Sequence, residues 1–218
     1  MNDPAGRERM LALGVRNIPL LVRGKDYVFG QSLHDVAKFV GVAAVEEQKL
    51  APAVLMRKWR TVLAAGQRYM RQFPAERLDE RLIEGRDQSI RGMGYHVFRI
   101  GDAFLATVVN GIEDWVAVSI EPPPPQVRSG ADIASYGDAV IQRLAQWWEA
   151  HLDKTCVAPV KTFTGAQPLW DFLERQTWHS AQHVRQLAAV LERFGIQPDG
   201  RLSADDLAGL PLPAALWE

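Results

Sequence analysis

LWDFLERQTWHSAQHVRQLAAVLERF, residues 169–194, reads as one long amphipathic helix carrying two histidines, His179 and His183, four positions apart. In an α-helix such a pair lies about 40° apart around the axis and one turn apart along it, so both imidazoles reach one point beside the helix. Leu169, Leu173, Ser180, Leu187, Leu191 and Phe194 trace a seam at three- and four-residue spacing. His183 falls on that seam and His179 at its edge, so both point towards a core. Pro168 suits the first helical turn, and Gly195 is placed to end the helix as a left-handed cap.

Working outward, the same periodicity marks three more long helices. One starts at Pro52 and runs through Phe73, burying Met56, Trp59, Val62, Leu63, Tyr69 and Met70. A second covers about Asp87 to Val109, with Ile90, Met93, Val97, Ile100 and Phe104 inward and His96 bordering that stripe. Gly92, Gly94 and Gly101 interrupt it, each costing roughly 1 kcal/mol relative to Ala, which points to close helix packing or access to a site. Residues 115–129 contain the run Pro122 to Pro125 and read as an extended spacer. Ser129 with Asp132 caps a third helix reaching about Leu152, and an irregular segment leads on to Leu169. A short helical turn at Ser203 to Leu207 precedes a tail that wraps the surface.

Before this bundle, residues 1–45 read as helix, strand, strand, helix, with a hairpin turn at Arg23-Gly24-Lys25-Asp26 and a cap signature at Ser32 and Asp35. Composition sets further limits. With 47% hydrophobic residues the chain can build a substantial core, and 25 basic against 26 acidic residues give no electrostatic footprint for nucleic acid. A single cysteine, Cys156, excludes an intrachain disulfide and any thiolate-rich metal site, and reads as an inert, partly buried thiol. Charged residues interrupt every window long enough to span a bilayer, and there is no signal core, so a cytoplasmic protein is expected. No G-x-S-x-G, phosphate-binding glycine loop or H-E-x-x-H motif occurs.

A lone histidine on an apolar edge is usually a hydrogen-bonded core residue, but His96 on a second helix offers a third imidazole to the pair on the last. Three ligands make a site with positions left for water or substrate. His34 and His151 read as surface or packing residues. GYHVFRIGDAFL around His96 and TWHSAQHVRQLAAVLERFGI around His179 and His183 together resemble the DinB/YfiT-like superfamily of metal-binding four-helix bundles, over about residues 50–218. That resemblance implies a divalent metal on His96, His179 and His183, with zinc or nickel favoured by imidazole and iron or manganese still open. It also implies a thiol-dependent transferase or isomerase acting on a small electrophile, glutathione being one candidate thiol. Metal-assisted hydrolysis and a non-catalytic interaction module are the alternatives. Arg99, Trp178, Gln182 and Gln186 flank the histidines and are pocket candidates.

GVRNIPLLVRGKDYVFGQSLHDVAKFVG, in turn, resembles the C-terminal half of a glutaredoxin lacking its cysteine motif. The likeness implies that thiol–disulfide exchange is not inherited, while a cis Pro19 would expose the backbone of Ile18 to a thiol such as glutathione. A segment this short needs packing against the rest of the chain or another subunit, which leaves a homodimer open. The expected architecture is thus mainly α: a DinB-like four-helix bundle at 50–218 behind a small N-terminal α/β appendage at 1–45.

Overall fold

The computed structural model describes residues 4–14, 20–30, 33–42, 49–83 and 87–217. Its contacts divide the chain into two compact units, Met1–Gln48 and Lys49–Glu218. In the first unit the order is α1 (Pro4–Ala12), β1 (Leu20–Arg23), β2 (Asp26–Phe29) and α2 (Leu33–Val40). The two strands pair antiparallel with Leu20 opposite Phe29 and Arg23 opposite Asp26, which closes the hairpin around Gly24. The Arg23 guanidinium lies over the Phe39 ring, 4.8 Å from its centre, tying the hairpin to α2. Ile18, Pro19, Ser32 and the side chains of His34 and Asp35 lie outside the described residues.

The second unit is built on four long helices: α3 (Pro52–Gln72), α4 (Ile90–Asn110), α6 (Gly130–Ala150) and α7 (Leu169–Arg193). Both α3 and α4 pack chiefly on α6 and α7, so α3 faces α4 across the diagonal. Helices α4 and α6 are neighbours that run parallel, with Phe98 against Gly137, Gly101 against Val140 and Phe104 against Trp147, so the proline-bearing connection from 111 to 129 carries the crossover. The apolar stripes meet at the centre. Trp59, Val62, Leu63, Tyr69, Val97, Ile100, Phe104, Val140, Leu144, Leu173, Leu187 and Leu191 are all fully buried. Trp59 Nε1 donates to Ser180 Oγ at 2.9 Å, which satisfies the one polar atom of each side chain inside the α3–α7 seam.

Two of the α4 glycines are explained by packing. A Cβ at Gly101 would lie 2.6 Å from Val140 Cγ1, and one at Gly94 would lie 2.3 Å from Met70 Sδ, so these positions let α6 and α3 side chains approach the helix. Helix α7 ends at the expected Gly195, which has φ 74°. Gly195 N–H donates to Glu192 O and Ile196 N–H to Leu191 O, both at 2.9 Å, satisfying carbonyls that the helix end would leave bare.

Elsewhere the structure departs from the expected layout. Pro168 is not inside the helix but caps it from β4, with ψ 138°. Helix α4 begins at Ile90 rather than Asp87, because Ser89 accepts from Gly92 N–H and fixes the start there. The spacer from 115 is not extended throughout: Trp115–Ser119 forms a short helix, α5, started by Asp114 accepting from Ala117 N–H and anchored by the buried Trp115. The segment before α7 is not irregular, since β3 (Pro159–Thr162) and β4 (Gly165–Pro168) form a second antiparallel hairpin. After α7 comes one helical turn, α8 (Ala204–Leu207), capped reciprocally by Ser203 and Asp206. Among the described residues no helix is long and apolar enough to cross a membrane.

Candidate metal centre

Because α4 and α7 are adjacent in the bundle, the histidine on one faces the pair on the other. The ligating nitrogens of His96, His179 and His183 all lie within 4.8 Å of one another. Ring centres are separated by 5.4 Å for His96 and His179, 5.1 Å for His96 and His183, and 4.7 Å for His179 and His183. One small ion fits between donors at that spacing, allowing the modest closure that roughly 2 Å metal–nitrogen bonds require. Among the described residues the group holds three imidazoles and no carboxylate.

The protein fixes two of the rings from behind. His96 Nδ1 lies 2.6 Å from Ser119 O at the end of α5, and His183 Nδ1 lies 2.8 Å from Gln186 Oε1. Each contact places a proton on Nδ1 and leaves Nε2 as an unprotonated donor, the arrangement that orients metal-binding histidines. Among the described residues His179 Nδ1 is buried without a hydrogen-bond partner. A buried ring nitrogen without a hydrogen bond is costly, and a nearby ion would remove that cost.

Charge points the same way. Desolvation lowers the pKa of His96, opposed in part by its bond to Ser119. Desolvation and then repulsion from His96 push His183 down to about 3. His179 is held well below its usual value by desolvation first, then by His183, His96 and Arg175. Three neutral imidazoles at neutral pH are what a divalent ion requires. Beside His183 lies a pocket of about 40 Å³ lined by Met93, Gln88, Gln186 and Trp217, room for about one water-sized ligand.

The flanking residues divide. Gln186 touches His183 and also donates to Leu216 O at 2.8 Å, so it links the ring to the C-terminal tail. Gln182 turns to that tail, donating to Leu216 O at 2.8 Å and accepting from Arg185. Trp178 packs with its ring centre 6.0 Å from His179. Arg99 serves α5: it donates to Val118 O at 2.8 and 3.1 Å and pairs with Glu121 and Asp102. It holds the segment whose Ser119 carbonyl meets His96. His151 stacks on Trp147, 4.9 Å between centres, and Cys156 is buried, its thiol pushed up to about 11 by desolvation. The residue that sequence reading missed is Arg175, one turn before His179; its position in the i, i+4, i+8 series Arg175, His179, His183 was the available signal.

A family model describing the DinB superfamily matches residues 58–187, well over half the chain and a span that contains all three histidines. The chain belongs to the DinB superfamily. No curated protein and no solved structure matches it. For this DinB-superfamily chain, membership and the three-histidine cluster agree on a divalent metal site.

Proposed function

We propose that this DinB-superfamily protein holds one divalent ion on His96, His179 and His183 and uses the site to present a small thiol to an electrophilic substrate, as a transferase or isomerase. The observation that carries this reading is the convergence of three neutral imidazoles within 4.8 Å, one of them with a buried, unpartnered nitrogen. Zinc and nickel suit such a donor set best, with iron or manganese as further candidates. When bound, an ion of this kind supplies a Lewis acid at which a thiol exchanges for solvent and becomes a thiolate at neutral pH.

The chain's own residues do the rest. Ser119 O and Gln186 orient two rings, α5 shields one side of the cluster, and the pocket beside His183 leaves space for an exchanging ligand. Because the cluster contains no carboxylate to serve as a base towards water, a thiol reaction suits it better than hydrolysis does. The likeness of the N-terminal unit to half a glutaredoxin supports glutathione as the first thiol to try.

The test is to load the protein with cobalt(II), titrate it with glutathione and 2-mercaptoethanol, and follow the visible spectrum and turnover of electrophile and ester panels. A thiol-induced spectral change with thiol-dependent product supports the reading. Turnover without thiol would instead indicate hydrolysis, and neither ligand exchange nor turnover would indicate a non-catalytic module.

A further inference from the structure

Arg175 is a cation that the fold takes largely, though not wholly, out of water, with no counter-charge among the described residues. Its guanidinium lies over the buried Trp115 ring, 4.8 Å from the centre, and 5.8 Å from the centre of Trp178. Among the described residues it forms no hydrogen bond and no ion pair, and its Nε is buried with no partner. Desolvation alone lowers its pKa to about 10, with no carboxylate acting to hold it up. Contact with an aromatic face attracts the charge, but it leaves the buried Nε–H unanswered and the terminal N–H groups without a protein partner among the described residues. An arginine held largely out of water is normally paired, since an uncompensated charge there is costly. Natural chains keep such a cost mainly where a ligand removes it.

The position of that charge gives it a use. Arg175 precedes His179 by one helical turn, about 6 Å along α7, and its charge is one of the influences that lower the pKa of His179. Helix α5 is the shared wall: its first residue, Trp115, carries Arg175, and its last, Ser119, holds His96. A planar guanidinium matches a carboxylate with two parallel hydrogen bonds, and two indoles beside it suit a flat apolar body. Resting on the proposed metal site, we propose that Arg175 is its anion-recognition residue. It holds the carboxylate of a small, flat substrate beside Trp115 and Trp178 while the reacting end lies at the three imidazoles.

The probes are benzoate and its neutral counterpart benzamide, titrated calorimetrically into the full-length protein with metal removed, so that the only cation offered is on the protein. The expected result is at least tenfold tighter binding of benzoate by the wild type. That preference should be lost in Arg175→Gln and partly kept in Arg175→Lys, with both variants checked for fold by circular dichroism. Equal affinity for the two probes in the wild type, or an undiminished preference in Arg175→Gln, would overturn the proposal. Should Arg175→Gln fail to fold, the Nε–H resonance of Arg175 in the wild type decides: a shift with benzoate and not benzamide supports the contact, and no shift overturns it. Cobalt uptake by the same wild-type protein is read separately. Benzoate recognition without cobalt uptake would remove the metal reading and keep the anion site, whereas cobalt uptake without benzoate preference would remove the anion site alone.

Discussion

His183 shows how a single side chain ties burial to both stability and binding. Its ring is neutral down to about pH 3 in the fold, against 6.5 for an ordinary histidine. Between those values the unfolded chain binds the extra proton, so the stability present above about pH 6.5 is lost as the pH falls. Each such group contributes a slope of about 1.4 kcal/mol per pH unit. The metal-free protein should therefore lose urea resistance between pH 6.5 and 5, and His183→Gln should flatten that loss; identical profiles would contradict the burial argument. At this scale the three histidines were legible because H-x-x-x-H on an apolar seam and a third histidine on another stripe are visible in spacing. Arg175 was not, because an arginine on a helix ordinarily reaches solvent, and its burial depends on Trp115 of α5.

The same short helix marks the limit of what periodicity conveys about elements. Four long helices announced themselves through stripes and caps, whereas α5 spans five residues and β3 and β4 four each, too few for a repeat to emerge. These short elements exist because of what they pack on: Trp115 is buried against Phe163 and Phe172, at ring separations of 5.8 and 5.9 Å. Glycines in α4 carry the complementary lesson. Gly101→Ala would gain about 1 kcal/mol of helix propensity on an exposed helix. Here the new methyl group meets Val140 at 2.6 Å and Leu144 at 3.2 Å. Overpacking costs about 1–3 kcal/mol, so the clash wins, and thermal melting should show a lower midpoint for Gly101→Ala. A raised midpoint would mean that α6 gives way more easily than its packing indicates.

Across the whole molecule, the mainly helical class and the DinB-type bundle were readable from the chain, while the diagonal placement of α3 and α4 was not. A long connection permits several topologies, and only the matching of complete apolar faces selects one. That arrangement makes α4 a neighbour of α7, and so brings a histidine from the first half of the bundle to two from its last helix. The central claim is that these three residues, assembled only by the fold, form one metal site. It is tested most directly by measuring cobalt(II) stoichiometry and affinity for the wild-type protein and for His96→Ala, His179→Ala and His183→Ala. The account predicts about one ion per chain in the wild type, and binding weakened at least tenfold in each variant with the helical circular dichroism retained. Full and unchanged occupancy in all three variants would contradict it.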